Sequence, residues 1–324
     1  MDSPLETSRR HSISVVTPVY NGEASIAELC RRLGEVLPRI ATEYEIILVN
    51  DGSRDRSWEV ISELSSRSPA VRGFNLMRNY GQHNALLCGI RAAKYEIILT
   101  VDDDLQHPPE EIPRLLSRLE EGFDVVYGAP KAEQNGLMRA LASRITRLAL
   151  RTAVGSEVAK NVSAFRLFRT QLREAFADYH TPSVSVDVLL TWATTRFAAT
   201  RIPFQKRYCG SSNYRFTTLL RHALNMMTGF STAPLQLASL IGFGCTLLGL
   251  AVFVYIVIRY CLEGSVPGFP FLASIIAIFS GAQLFALGVI GEYIARMHFR
   301  TMNRPAYAIR GTVEGENSKT QKPL

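Results

Sequence analysis

Three consecutive aspartates, Asp102 to Asp104, follow an apolar run about one third of the way along the chain. The run YEIILT (95–100) is typical of a buried strand, and the aspartates open the segment VDDDLQHPPEEIP (101–113). Because clustered carboxylates repel one another, they need a positive partner, most simply a divalent metal. The alternative is a helix N-terminal cap, for which Asp104, Glu110 and Glu111 are suitable residues. One cap needs one acceptor, so we assign the glutamates to the cap and the aspartates to chemistry.

The first part of the chain alternates strand and helix patterns, as in a parallel doubly wound α/β sheet. The predicted strands cover 12–18, 44–49, 71–76, 95–101 and 123–128, and the predicted helices 23–39, 54–67, 82–93 and 110–121. Right-handed crossovers bring the strand ends to one edge, where PVYNGE (18–23), NDGS (50–53) and the aspartates would meet. NDGS alone is an ordinary turn, but at that edge Asp51 is a candidate acceptor for a base or ribose. Tyr20 could stack on the base.

Several cationic candidates follow this region. A basic segment over 131–151 reads mainly as a solvated or membrane-facing helix face. A return strand over 161–169 carries Arg166 toward the acidic edge, and a helix over 181–195 carries Asp187 in apolar surroundings. The loop containing Lys206 and Arg207 is either a flap that closes over phosphates or a plain connector.

Two long stretches, Ala233 to Ile258 and Gly264 to Gly291, contain no charged residue. Each exceeds the ~20 residues that a helix needs to cross a bilayer. We therefore predict a transmembrane hairpin preceded by an interfacial amphipathic helix, because buried helices of a soluble core are rarely so long and uncharged. Ala273, Ala277 and Gly281 recur at every fourth position, which permits close packing within the hairpin or in a homo-oligomer.

The net charge of +7 and the pI near 9.3 fit a surface that rests on anionic lipid. No nucleic-acid-binding pattern accompanies the charge, so we expect no nucleic-acid partner. Arginines flank both spans and the N-terminus lacks an apolar signal segment, which predicts that the termini and the first domain are cytoplasmic. The five cysteines show no pairing pattern and are expected to be reduced, mostly buried thiols.

These patterns predict five regions. They are a polar tail (1–11), a catalytic domain (12–212), an interfacial helix (213–231), a hairpin (232–298, with spans near 234–258 and 268–291) and a cytoplasmic C-terminal tail (299–324) that is disordered after about Gly311.

From about Ile13 to Pro305 the chain resembles family 2 glycosyltransferases with a GT-A fold, in particular the polyprenyl-phosphate branch. That branch includes bactoprenol glucosyltransferases, undecaprenyl-phosphate aminoarabinose transferases and dolichyl-phosphate mannose synthases. The resemblance rests on the order of PVYNGE, NDGS, RNYGQHNALLCGI (78–90), VDDDLQHPPEEIP, GFDVVYG (122–128), SAFRLF (163–168), RYCGSSNY (207–214), FSTAPL (230–235) and GEYIARMHFRTMNRPAY (291–307).

The resemblance implies metal-dependent, inverting transfer of a sugar from a nucleotide-sugar, UDP-linked in the bacterial members, to undecaprenyl phosphate or a related polyprenyl phosphate. It also implies roles for individual residues. Mg²⁺ or Mn²⁺ and the donor diphosphate would bind at Asp102, Asp104 and Gln106, and the role of Asp103 is the least defined. The rest of the donor would contact Pro18, Tyr20, Glu23, Asp51, Arg139 and Arg207. The acceptor phosphate would contact Arg166, Lys206 and Arg207.

The chain departs from the family pattern at three places. Gly22 and Glu23 stand where relatives often have an acidic residue directly after PVYN, which puts a ribose contact in doubt. Ala129 and Pro130 replace a common arginine, and Ser163 with Ala164 replaces an aspartate found in some bacterial relatives.

An ionised lipid phosphate needs positioning more than proton removal, so loss of that aspartate is tolerable. Asp187 is a candidate general base whose simpler interpretation is structural. Two alternatives remain open. One is a polysaccharide or glycolipid synthase that uses an alcohol acceptor and requires a base. The other is a non-catalytic membrane scaffold or flippase accessory subunit.

Overall fold

The protein consists of one sheet with helices on both faces, followed by two long apolar helices. The computed structural model describes residues 11–130, 161–181, 184–205, 208, 233–263, 268–302 and 304–315. The strands are β1 (His11–Val19), β2 (Ala41–Asn50), β3 (Val71–Leu76), β4 (Ile97–Thr100), β5 (Val125–Pro130), β6 (Arg166–Arg169), β7 (Phe197–Ile202) and β8 (Ile309–Glu314). The helices are α1 (Ile26–Ile40), α2 (Ser57–Arg67), α3 (Gln82–Ala92), α4 (Ile112–Glu120), α5 (Val186–Ala193), α6 (Ala233–Glu263) and α7 (Phe269–Thr301), with 3-10 turns at Pro109–Glu111 and Thr170–Phe176.

The strands form an eight-stranded sheet in the order β7-β5-β6-β4-β1-β2-β3-β8. The pairs β1–β2, β1–β4, β2–β3 and β5–β7 are parallel, whereas β6 and β8 pair antiparallel with their neighbours. The predicted mostly parallel α/β sheet is therefore confirmed. The predicted return strand is β6, although it begins at Arg166 rather than at residue 161.

Each face of the sheet carries its own apolar core. On one face α1, α2 and α4 pack against side chains such as Ile13, Val15 and Leu99. On the other face α3 and α5 pack against Val16, Ile98 and their neighbours. The α1 side chains Ile26, Leu29, Cys30, Leu33 and Leu37 recur at helical spacing and are all buried.

The two-sided packing creates a switch point between β1 and β4. The chain runs from β1 to β3 with α1 and α2 on one face, then crosses on the other face through α3 to reach β4 beside β1. Ligands of open α/β sheets bind at the carboxyl ends of the strands beside such a point. The segments after β1, β2 and β4 therefore meet at one edge.

The C-terminal segment differs from the tail predicted by sequence. After α7 the chain returns to the sheet, and β8 pairs antiparallel with β3. Ala306 is buried in the core on the α3 face, and Val313 packs on the opposite core. The strand is short, mostly polar and exposed on its outer edge, so its sequence carries little strand signal.

Arg72 on β3 joins this segment to the interior. It donates to the buried Glu45 carboxylate at 2.7 Å and to Glu314 at 2.9–3.0 Å. We expect Arg72→Ala to destabilise the fold by about 3 kcal/mol, because it leaves a buried carboxylate without its cation. Glu314→Ala should cost less than about 1 kcal/mol, because that pair is more exposed. Urea unfolding of both variants measures the difference, and equal losses would contradict the assignment.

The helices α6 and α7 have the dimensions of a transmembrane hairpin. The 31 residues of α6 extend about 46 Å, longer than the hydrocarbon core of a bilayer. Apolar stretches over Leu235–Leu262 and Ile278–Ala295 are long enough to span it and are not buried within the protein. A Cβ atom at Gly249 would lie 2.6 Å from the Phe279 ring, so the two helices approach closely there. The chain thus has two helices that fit a membrane protein.

Of the four cysteines that the structure describes, two are buried as predicted and two are not. Cys30 and Cys88 are buried, and burial raises the pKa of both thiols to about 12. Cys245 is half-buried and Cys261 is exposed, both as free thiols on α6, while Cys209 lies outside the described residues.

Candidate active site

Residues 101–106, which we call the acidic loop, leave the end of β4 in a constrained conformation. Val101 and Leu105 are buried, and between them the three aspartates are half-buried. Leu105 has a φ of 59°, which is unfavourable for a branched side chain, and its burial in the core offsets the cost. The backbone N–H of Gln106 donates to Asp104 Oδ1 at 3.1 Å. The fold therefore holds this loop in one shape at the sheet edge.

The segment after β7 fastens the same loop from the other side. The backbone N–H groups of Gln205 and Tyr208 donate to the carbonyls of Gln106 and Asp104 at 2.9 and 3.1 Å. The chain thus couples the acidic loop to the stretch that contains Lys206 and Arg207, although those two residues lie outside the described part of the chain.

His107 fills the space behind the loop. Its ring stacks on Phe165 with centroids 5.5 Å apart and contacts the Phe204 ring edge to face at 5.3 Å. Nε2 lies 3.3 Å from the Ser163 hydroxyl. Burial lowers the pKa of His107, opposed by the charge of Asp104. The neutral imidazole acts as packing for the loop.

Residues after β1 form the second side of the edge. The Tyr20 side chain is 47% exposed, and Asn21 has a φ of 54°. Glu23 accepts a hydrogen bond from the Arg56 backbone at 2.9 Å, so it stabilises the turn after β2. Pro18 is buried within β1 and pairs with Val49. The predicted nucleoside contacts of Pro18, Tyr20 and Glu23 stay predictions.

Asp51 anchors a loop for which the sequence predicted no role. Its carboxylate accepts the backbone N–H groups of Tyr80 and Gly81 at 2.7 and 2.8 Å. Burial raises the pKa of Asp51, and these two hydrogen bonds oppose the shift. Gly52 is required beside it, because a Cβ atom there would lie 2.6 Å from the Asn79 nitrogen and its φ is 65°. The nucleoside role of Asp51 stays a prediction beside this structural one.

The loop that Asp51 anchors also contacts the acidic loop, through the side chain of Gln82. Residues 78–82, which we call the bridging loop, end at Gln82, whose Nε2 donates to Asp102 Oδ1 at 2.6 Å. The sequence predicted a helix from residue 82, but nothing in it identified a contact of Gln82 with a carboxylate 20 positions away. The bridging loop thus joins Asp51 to Asp102.

Gly22 also contacts the acidic loop. A Cβ atom at this position would overlap Oδ2 of Asp103. Gly22→Ala is therefore expected to move the Asp103 side chain and to reduce the rate of the transfer that the resemblance implies by up to about 10-fold, because Asp103 stands between two predicted metal ligands in the chain. Gly34→Ala on α1 is the control, because nothing lies within 4 Å of its Cβ position. Initial-rate assays of both variants test this, and equal rates would contradict it.

Arg166 and Asp187 form a buried ion pair at the end of β4. Nη1 of Arg166 donates a hydrogen bond to Oδ1 of Asp187, and Nε of Arg166 donates to the Thr100 hydroxyl at 3.0 Å. The Tyr127 hydroxyl donates to the same Asp187 oxygen at 3.1 Å, and burial, reinforced by the Asp187 charge, raises the pKa of Tyr127. Arg166 is 1% exposed and Asp187 4% exposed. The structure places both within the core, so contact with substrate stays a prediction.

Other predicted residues cannot be placed. Arg139, Lys206, Arg207 and the interfacial helix over 213–231 lie outside the described residues.

The predicted metal set is chemically suited to Mg²⁺ or Mn²⁺. Asp102, Asp104 and Gln106 offer two carboxylates and an amide carbonyl, all hard oxygen donors. Within the described part of the chain, no three His, Cys, Asp or Glu side chains group around a common metal position. A set with two carboxylates suits a cation that keeps waters and substrate phosphates as its remaining ligands.

An open, mostly parallel sheet with an acidic loop at its switch point is the GT-A fold. A crystal structure of glucosyl-3-phosphoglycerate synthase from Mycobacterium tuberculosis, in complex with Mn²⁺, UDP-glucose and phosphoglyceric acid, matches with a TM-score of 0.51. The two sequences are 19% identical, and the aligned region covers 67% of this chain and 78% of the synthase chain. This similarity shows the fold.

Sequence comparison then defines the family. The model of glycosyl transferase family 2 matches residues 14–176. Undecaprenyl-phosphate 4-deoxy-4-formamido-L-arabinose transferases from Shewanella sediminis and Pseudomonas aeruginosa are 33% and 34% identical to the chain. The matches cover 95% and 96% of this chain and 94% and 93% of theirs. The chain belongs to glycosyl transferase family 2, and the prediction of an enzyme, a glycosyltransferase, is confirmed.

Proposed function

We propose that the chain transfers a sugar from a UDP-linked donor to undecaprenyl phosphate or a related polyprenyl phosphate, with inversion at the anomeric carbon. The observation that carries this proposal is the near full-length similarity to relatives named for transfer to undecaprenyl phosphate. The two apolar helices support it, because they would bring a water-soluble catalytic domain to a lipid acceptor. The product is a polyprenyl-phosphate sugar for cell-envelope modification.

The reaction is a single displacement. An oxygen of the ionised acceptor phosphate forms a bond to the anomeric carbon while the bond from that carbon to the diphosphate oxygen breaks. The electron pair leaves with the nucleoside diphosphate, and no proton has to be removed from the acceptor. Single displacement inverts the configuration, and catalysis depends chiefly on positioning and charge stabilisation.

We assign the donor to the edge beside β1, β2 and β4. Tyr20, Pro18 and Asp51 lie at the nucleoside side, and Asp102, Asp104 and Gln106 would hold the cation and diphosphate. When bound, Mg²⁺ or Mn²⁺ would neutralise the charge that develops on the leaving diphosphate.

Lys206, Arg207 and Arg139 are our candidates for phosphate contacts. The backbone hydrogen bonds from Gln205 and Tyr208 tie the neighbouring stretch to the acidic loop, which supports a location of Lys206 and Arg207 near the donor. The burial of Arg166 and Asp187 favours a supporting role for both, and with an ionised acceptor no base is needed from Asp187.

The membrane arrangement is part of the proposal. The catalytic domain and both termini would lie in the cytoplasm, with the turn between α6 and α7 on the far side of the inner membrane. The arginines near both spans support this orientation. Association through the small-residue positions of α7 is a further expectation, which crosslinking in membranes would test.

A product assay tests the function directly. Purified full-length protein is incubated with undecaprenyl phosphate, Mn²⁺ and a panel of nucleotide-sugars, and the lipid product is weighed by mass spectrometry. The name of the relatives gives the first donor sugar to include, 4-deoxy-4-formamido-arabinose. Formation of a polyprenyl-phosphate sugar is expected. Transfer only to lipid or glycan alcohols would instead support the alternative of a polysaccharide or glycolipid synthase.

A further inference from the structure

The bridging loop places an uncharged side chain directly against one of the predicted metal ligands, Asp102. Gln82 is the first residue of α3, and its amide donates to Asp102 Oδ1 at 2.6 Å. It is exposed, so this contact is made at the surface of the edge rather than in the core. Its backbone neighbour Gly81 is held by Asp51 at 2.8 Å.

The position of Gln82 is fixed by the backbone on both sides. Gly81 adopts a φ of 94°, which turns the chain sharply into α3. Asn84, in the first turn of the helix, donates from its side chain to the Tyr80 carbonyl at 2.6 Å. Because the loop is fastened at Asp51 and at Asn84, the Gln82 side chain starts from a defined backbone and can hold Asp102 in a defined orientation.

We propose that Gln82 is a positioning residue for Asp102, an inference that rests on the proposed function. A carboxylate at a strand end rotates easily, and one amide hydrogen bond restricts that rotation. The amide is neutral, so it orients Asp102 without competing for the cation. Partners that orient a metal ligand typically contribute 10- to 100-fold in metal affinity or activity, roughly the range expected here.

A chemical consequence separates this role from direct contact with substrate. Loss of an orienting partner weakens cation binding, and a higher cation concentration compensates for it. Loss of a substrate contact would change the KM for the donor or kcat at every cation concentration. Gln82→Met keeps the length and helix propensity of the side chain and removes the donor. Gln171→Met is the matched control, since Gln171 is another exposed glutamine in the 3-10 turn after β6.

The test measures binding of Mn²⁺ itself to the full chain in detergent. The electron paramagnetic resonance signal of unbound Mn²⁺ is titrated with and without UDP, for wild type, Gln82→Met, Gln171→Met and Asp102→Asn. We expect wild type and the control to bind alike, Asp102→Asn to lose binding, and Gln82→Met to bind about 10-fold more weakly. Raising Mn²⁺ should restore kcat of Gln82→Met to within about threefold of wild type.

Different outcomes overturn different statements. Equal Mn²⁺ affinity of wild type and Gln82→Met, alongside loss of binding in Asp102→Asn, would overturn the role of Gln82 and leave the proposed function standing. Unchanged affinity with a lost rate would show that Gln82 acts on the substrate, which also overturns it. If wild type binds no Mn²⁺ and transfers sugar without it, the metal assignment and the role of Gln82 are both wrong.

Discussion

Sugar transfer is expected to fall by at least about 1,000-fold when Asp104 is replaced by alanine, because charge stabilisation by a cation contributes several kcal/mol to such a displacement. Asp104 also accepts a hydrogen bond from the Gln106 backbone, so alanine removes both a charge and a support of the loop. Asp104→Asn separates the two effects. Its side-chain oxygen can still accept from Gln106, but the charge is gone, and we expect nearly the same loss.

The control for this prediction is a neighbouring acid assigned to helix capping. Glu110 pairs with Arg32 on the surface, where Arg32 Nε donates at 2.9 Å. Glu110→Gln should keep the transfer rate within about twofold, since exposed pairs contribute little. Rates are measured with purified protein, a nucleotide-sugar and polyprenyl phosphate over a range of Mn²⁺ concentrations. Full activity of Asp104→Asn would contradict the metal assignment.

The central strands could be predicted because each is a short apolar run bounded by polar turns. The run at 95–100 identified β4 and placed the aspartates at its end, and the order of strands and helices identified the open sheet. β8 could not be predicted in this way. It is a polar edge strand that follows two membrane-length helices, and only its pairing with β3 defines it.

The site shows the same division between local and long-range information. The acidic loop was predictable because its residues are consecutive. The contact of Gln82 with Asp102 depends on how α3 crosses to the other side of β1, which no local pattern specifies. Gly22 is understood only when Asp103 is seen beside it, and the departure from the family pattern at Gly22 then has a packing reason.

For Arg166, strand periodicity predicts burial but not the residue that pairs with it. Residues alternate between faces along a strand, so Arg166 shares a face with the buried Phe168, and its burial follows from the pattern. A buried arginine requires a partner, and Asp187 on the apolar helix α5 is that partner. From the sequence, Arg166 was expected to contact the acceptor phosphate, and Asp187 was a candidate general base whose simpler interpretation was structural. Their pairing depends on the tertiary position of α5.

Replacing Arg166 by methionine is therefore expected to destabilise the fold by about 3–5 kcal/mol, because Asp187 keeps its charge in the core without a cation. Asp187→Leu should destabilise the fold by a similar amount, because Arg166 then keeps its charge in the core without an anion. The triple variant Tyr127→Phe, Arg166→Met and Asp187→Leu removes the interacting groups together, and we expect it to recover most of the lost stability. Urea unfolding followed by tryptophan fluorescence measures all three.

The triple variant also decides between support and direct catalysis. If the ion pair only holds β4, β6 and α5 in place, a stable triple variant should keep the KM for polyprenyl phosphate within about threefold of wild type, because no substrate contact has been removed. A stable triple variant whose KM rises tenfold or more would contradict this expectation. That result would assign Arg166 to the acceptor phosphate, and it would require the core around Thr100 to open during the reaction, since Arg166 is 1% exposed in the structure.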